Sequence, residues 1–180
     1  MAGTLIILYA VGVKYFTVYT QDKVIKNYEK KIKDSSKLPE SSKNNGMSPK
    51  NYGTLGILDI PKIDLKVAIQ EGTDLDTLKY AVGHFKDTSL PGQKGNFALA
   101  GHRSYTYGEY FNRLDELKIG DEIIVETVKG TYQYEVYNIK VVLPEDVEVL
   151  NSTEDATMTL ITCTPIRVGT HRLIVSARLY

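Results

Sequence analysis

The sequence predicts an all-β domain, a closed antiparallel or mixed β-barrel with short helices, preceded by an N-terminal helix. Three observations predict it: seven short runs rich in β-branched and aliphatic residues, turn residues between those runs, and neither a strand-helix-strand rhythm nor an internal repeat. The runs cover residues 53–61 (GTLGILDIP), 65–70 (LKVAIQ), 96–102 (NFALAGH), 121–128 (DEIIVETV), 130–144 (GTYQYEVYNIKVVLP), 156–163 (ATMTLITC) and 171–180 (HRLIVSARLY). Val128, Lys129, Gly130 and Thr131 read as a hairpin turn. On the run that follows, Tyr132, Tyr134 and Val136 alternate with Gln133 and Glu135, the period of a half-buried strand. Two brief helical signals interrupt the strands, over residues 74–82 and 110–114.

The N-terminal fifty residues have a different character. Residues 2–20, AGTLIILYAVGVKYFTVYT, are apolar apart from Lys14 and a few threonines. A membrane span wants ~20 mostly apolar residues, so this run is marginal in length and carries a charge. No basic residues precede it and no small-residue cleavage site follows it. It reads as the outer part of a membrane anchor over residues 1–20, with Tyr9, Tyr15, Phe16 and Tyr19 suited to the interface; a merely hydrophobic helix is the alternative. Over residues 21–33, Val24, Ile25, Tyr28 and Ile32 recur at helical spacing among lysines, either a juxtamembrane helix or a solvated one. Residues 34–51 are polar, rich in Ser, Asn and Pro, and read as a flexible linker, leaving residues 52–180 as the barrel domain.

Composition narrows the function classes. At 180 residues, 42% hydrophobic and 24% charged, the chain is neither wholly disordered nor a polytopic membrane protein. Lysine plus arginine equals aspartate plus glutamate, so charge gives no support to nucleic-acid binding. The single cysteine excludes an internal disulfide and is compatible with an extracellular enzyme whose thiol stays free.

That cysteine is the centre of the chemistry. Thr159, Leu160, Ile161 and Thr162 favour a strand, while Thr164, Pro165 and Gly169 end it, so Cys163 stands where a strand gives way to a loop. A side chain there is held by the sheet behind it and open to a ligand in front. In GNFALAGHR, residues 95–103, a second apolar run stops at Gly101 and presents His102 at a second strand end. A thiol of unperturbed pKa ~8.5 is only a few per cent thiolate at neutral pH, and a basic neighbour such as histidine activates it. Arg172 opens the last run and supplies fixed guanidinium donors able to hold a carbonyl or oxyanion. One cysteine, a distant histidine and an arginine define cysteine acyl transfer. Two other readings stay open from the residues alone: a cysteine hydrolase releasing its acyl group to water, and a non-catalytic surface barrel with Cys163 in its core.

The segments LAGHR and TLITCTP, followed by an arginine opening the last strand, resemble the sortases, cysteine transpeptidases of Gram-positive cell surfaces. The resemblance covers residues 52–180, and GHFKDTSLPGQKGNFALAGHR is most like class D and related members. It implies a barrel of seven or eight strands, with Cys163 as nucleophile, His102 as partner imidazole and Arg172 as oxyanion or substrate-positioning residue. It implies no cofactor, substrates that are surface proteins bearing a C-terminal Leu-Pro-x-Thr-Gly-like sorting signal cut after Thr, and an amine acceptor in peptidoglycan or its lipid-linked precursor. It also implies a membrane-tethered enzyme whose catalytic domain faces outward. An apolar groove for the Leu-Pro portion is expected among Val82, Leu99, Ala100, Ile161 and Ile174. Pilus-building class C members carry a lid with an Asp-Pro-aromatic motif; none occurs in residues 34–50, which favours an unlidded enzyme.

His84 matches a histidine found upstream in related sortases but falls in a loop context. His171 adjoins Arg172, and neighbouring side chains on a strand face opposite sides, so His171 points away from the site if Arg172 points into it. Arg103 and Arg167 would either bind substrate or solvate the rim. Some sortases bind calcium in the loop carrying Glu145, Asp146, Glu148, Glu154 and Asp155, but here the acidic residues lack a tight alternating ligand rhythm and read as a solvated face.

Overall fold

The chain is described by a computed structural model over residues 2–35, 53–103 and 109–180; the expected linker therefore lies almost wholly outside the described residues. The described strands are β1 (Thr54–Ile60), β2 (Leu65–Glu71), β3 (Val82–His84), β4 (Gly95–Ala100), β5 (Glu122–Thr127), β6 (Gly130–Val142), β7 (Ala156–Thr164) and β8 (His171–Leu179). They close into one barrel in the order β1-β2-β3-β4-β7-β8-β6-β5. Full closure leaves no unpaired sheet edge. The barrel is mixed, since β2 with β3 and β4 with β7 are parallel.

Seven strands coincide with the expected runs. The eighth, β3, has three residues, too few for any periodic signal. Between β2 and β3 lies helix α2 (Leu75–Tyr80), started by Asp74, whose carboxylate accepts from the Thr77 amide at 3.0 Å and the Thr77 hydroxyl at 2.9 Å. The β2-α2-β3 segment is thus a parallel crossover, and the expectation of no strand-helix-strand unit is corrected at this one place. The helical signal over residues 110–114 resolves into two 3-10 turns, Glu109–Phe111 and Leu114–Glu116. The hairpin turn sits one residue earlier than expected: Thr127 pairs with Gly130, leaving Val128 and Lys129 as the connection.

Alternation along the strands separates the two faces of the barrel wall. Phe97 and Leu99 of β4, Met158 and Leu160 of β7, and Leu173 and Val175 of β8 belong to the interior core, together with Val67, Ile69 and Val82. Phe111 and Leu114 of the 3-10 turns pack into the same core and are wholly buried.

Helix α1 (Ala2–Ser35) is continuous, without a break between the two N-terminal segments distinguished by composition. Its second half rests on the barrel. The Tyr28 hydroxyl donates to the Leu55 carbonyl at 2.7 Å, the Gln21 amide to the Tyr110 hydroxyl at 3.0 Å, and Glu29 pairs with Lys66 at 2.9 Å. Tyr28 is 5% exposed, so the helical spacing of the apolar residues reports docking on the barrel. Among the described residues no helix is long and apolar enough to cross a membrane.

Candidate active site

Three neighbouring strands set the site. Ala100 of β4 stands beside Ile161 of β7, and Ile161 beside Ile174 of β8, forming one row across the sheet. Two residues further along, Cys163 of β7 is the direct partner of Arg172 of β8. His102 stands two residues beyond Ala100, and the Gly101 amide still donates to the Ile161 carbonyl at 3.1 Å, so the chain keeps to β7 for one residue past β4. Residues two apart on a strand share a face. Met158, Leu160, Leu173 and Val175 point inward, so Ile161, Cys163, Arg172 and Ile174 belong to the outer face.

Cys163 is exposed and unpaired. The β7-β8 loop folds back over it: Gly169, at φ +67, is close enough that a Cβ there would meet Cys163 Cβ at 3.6 Å and Sγ at 3.9 Å. Glycine suits this left-handed conformation, and its bareness keeps the thiol's surroundings open. Arg172 holds the loop down, Nη1 donating to the carbonyls of Gly169 and His171, each at 3.0 Å. Those two bonds fix one edge of the guanidinium, and the side chain remains part-exposed.

His102 is half-buried, and its carbonyl accepts from the Phe111 amide at 3.1 Å. Burial pulls its pKa below the ordinary histidine value of 6.5, because a desolvated imidazolium is disfavoured. At neutral pH the ring is therefore chiefly the neutral base, able to accept a proton from a thiol.

The expected groove residues divide. Ala100, Ile161 and Ile174 form one row on the face of Cys163 and Arg172, where Ala100 is part-exposed but Ile161 and Ile174 are buried. Val82 and Leu99 do not reach it: both are wholly buried in the interior, on the other side of the wall, and that expectation is corrected. Val82 fails because its three-residue strand gave no pattern from which to read its facing. Leu99 fails because β4 is buried on both faces almost throughout, so no polar alternation marks inside from outside.

The other candidates also find definite positions. His84 lies on β3 and not in a loop; it is 1% exposed, with Nδ1 3.0 Å from Glu71 Oε1 and Nε2 3.1 Å from the Ser89 carbonyl. Its ring lies tilted against Phe97 with centroids 5.2 Å apart, and its bond to Ser89 ties the β3-β4 loop to the barrel. His171 falls on the face alternate to Arg172, with Nδ1 2.9 Å from the Thr170 hydroxyl. Arg103 is buried and bound to Asn112, Thr164 and Asp115; sequence reasoning missed the set because the Thr164 contact is 61 residues away and the other two cross an irregular loop. Arg167 is exposed in the β7-β8 loop at φ 71. Asp146 accepts from the Leu143 amide at 2.9 Å and Asp155 lies 3.8 Å from Arg178, while Glu145, Glu148 and Glu154 are exposed. No group of three or more His, Cys, Asp or Glu positioned to hold a metal ion occurs among the described residues.

Comparison with known proteins joins this geometry to a family. The family model described as Sortase domain matches residues 58–180. Sortase D of Bacillus subtilis is 36% identical over 118 residues, covering 65% of this chain and 58% of the relative. Sortase SrtE1 of Streptomyces coelicolor is 34% identical over 160 residues, covering 78% of this chain and 45% of the relative. The chain thus spans about half the length of these curated relatives. Among solved structures, a Clostridium perfringens Sortase D5 transpeptidase superposes with a TM-score of 0.73 at 36% identity, over 90% of this chain and 99% of that one.

Proposed function

The chain belongs to the sortase family, and on that premise we propose that it is a cysteine transpeptidase of the cell surface, using Cys163, His102 and Arg172. The observation that carries the reading is Cys163 directly opposite Arg172 at neighbouring strand ends, with His102 two residues past the end of the adjoining β4.

The substrate is a surface protein with a Leu-Pro-x-Thr-Gly-like sorting signal. The Cys163 thiol gives its proton to the neutral His102 ring as sulfur attacks the carbonyl carbon of the threonine. The new C–S bond leaves a tetrahedral oxyanion, which Arg172 stabilises with its remaining N–H donors. The C–N bond to glycine then breaks, His102 returns its proton to the leaving amine, and a thioester remains on Cys163. An amine of peptidoglycan or its lipid-linked precursor attacks the thioester, His102 takes its proton, the C–S bond breaks, and His102 passes that proton to the departing sulfur to restore the thiol. Ala100, part-exposed on the face of Cys163, supports contact with the Leu-Pro portion, while Ile161 and Ile174 beside it are buried. The apolar sequence of residues 2–20 supports a membrane anchor preceding the barrel.

Incubation with a library of Leu-Pro-x-Thr-Gly peptides, with and without oligoglycine or a diaminopimelate-containing amine, separates the outcomes. Ligated peptide that depends on Cys163 supports the transpeptidase. Cleaved but never ligated peptide, whatever the amine, means a hydrolase. No peptide chemistry combined with a thiol inert to alkylation means a non-catalytic barrel.

A further inference from the structure

Between the two strand ends that carry Cys163 and His102 lies a buried guanidinium that the chemistry above does not use. The backbone ladder joining β4 to β7 ends at Ala100 and Ile161, prolonged only by the Gly101 amide on the Ile161 carbonyl and the Thr162 hydroxyl on the Gly101 carbonyl at 2.8 Å. His102 and Cys163 are both past that point. Beyond it, Arg103, the residue after His102, donates through Nη1 to the hydroxyl of Thr164, the residue after Cys163, at 3.0 Å. The same side chain, 4% exposed, donates through Nε to the Asn112 carbonyl at 3.3 Å and pairs through Nη2 with Asp115 Oδ2 at 2.8 Å. A charge this deep is tolerated only when paired and hydrogen-bonded, and all three of its nitrogens have partners.

We propose that Arg103 is a positioning residue, a clamp that sets the lateral separation of His102 and Cys163 through its bond to Thr164. This rests on the catalytic reading of those two residues. The planar guanidinium reaches its three partners from three separate nitrogens in a fixed fork, whereas an ammonium offers its donors from one nitrogen on a flexible stem. Asp115 and the Asn112 carbonyl hold the fork, and Thr164 receives its third arm, so Arg103 ties Asn112 and Asp115 to the end of β7. A histidine and a nucleophile must meet within hydrogen-bond reach, and a displacement of about 1 Å costs on the order of a hundredfold in rate.

The test is Thr164→Val, which removes the acceptor hydroxyl at nearly constant volume and leaves Arg103 its other partners. Expected are a fall in kcat of about 10- to 100-fold, KM within about twofold, and a protein that still unfolds cooperatively at a melting temperature lowered by several degrees, because the buried Nη1 loses its acceptor. Thr164→Ser, which keeps the oxygen, restores most of the rate. Arg103→Lys, which also disturbs the bonds to Asn112 and Asp115, loses at least as much as Thr164→Val, and the double variant loses no more than Arg103→Lys alone, since the Thr164 contact is already gone. Full kcat in folded Thr164→Val, or losses that multiply in the double variant, overturns the clamp.

A second readout needs no peptide: the iodoacetamide alkylation rate of Cys163 across pH, in wild type, Thr164→Val, His102→Ala and their combination. If Thr164 acts through His102, Thr164→Val moves the rate profile toward that of His102→Ala and adds nothing in the His102→Ala background. An unmoved or independently additive profile overturns the clamp. A wild type that fails to ligate any peptide overturns the transpeptidase, while this alkylation cycle still decides the clamp by itself.

Discussion

Gly101 is the residue whose replacement tests the packing behind the site most sharply. It lies between the end of β4 and His102 and is buried, and a Cβ there would stand 2.7 Å from Phe111 Cγ and 2.8 Å from Cε2. Real Cβ atoms essentially never come within 3.0 Å of a neighbour, and the neighbour here is a wholly buried ring in the core. Gly101→Ala therefore forces Phe111 to move within a close-packed interior, an overpacking cost of about 1–3 kcal/mol. For a protein of this size each kcal/mol lowers the melting temperature by about 2–4 °C, so the expected drop is about 2–12 °C. Urea unfolding measures it as a lower midpoint at unchanged slope. Because the Phe111 amide donates to the His102 carbonyl, turnover of the folded variant falls as well. Phe111→Leu makes room, so the double variant is less destabilised than the sum of the singles, by about 0.5–3 kcal/mol of favourable coupling. Gly101→Ala within ~0.5 kcal/mol of wild type, or strictly additive losses, would show that the ring yields freely and that close packing does not hold the end of β4.

Other expectations follow from the same geometry. Arg172→Ala lowers kcat by about 100- to 1,000-fold, as loss of an oxyanion donor does, and also frees the Gly169 carbonyl, so peptide kinetics and hydrogen exchange in the β7-β8 loop change together. Burial lowers the His102 pKa, so the unfolded chain binds the proton more readily than the folded one. Stability from this group is therefore present above its unfolded pKa of ~6.5 and is lost as pH falls from there toward the lowered folded value; a His102→Gln variant unfolded across pH 4–8 shows a shallower decline than wild type. Tyr28→Phe removes the 2.7 Å bond to Leu55 and costs about 0.5–1.5 kcal/mol in urea unfolding if α1 rests on the barrel as described, and nothing if it does not.

Much of the barrel is legible in the chain because most strands carry their own signal. Tyr132, Tyr134 and Val136 alternate in sequence and in burial alike, and β5, β7 and β8 are bounded by turn residues that mark their ends. What defies reading is short or non-local. β3 has three residues and pairs with partners distant in the chain; its identity comes from the sheet, not from Val82, Gly83 and His84 themselves. The facing of Leu99 was hidden because β4 has core on both sides. Cys163, His102 and Arg172 stood out because reactive residue types occur at the ends of clear strands, a local feature. The Arg103 contacts join residues up to 61 apart in sequence, and only the closed barrel brings them together.

Intact-protein mass spectrometry of the enzyme quenched during turnover of a Leu-Pro-x-Thr-Gly peptide tests the central claim most directly. Transpeptidase chemistry predicts a mass increase equal to the acyl portion ending at threonine, mapped to Cys163, absent in Cys163→Ala and discharged to ligated product when a glycine-type amine is added. Ligated product formed at an undiminished rate by Cys163→Ala, or an acyl group mapped to any other residue, would contradict it.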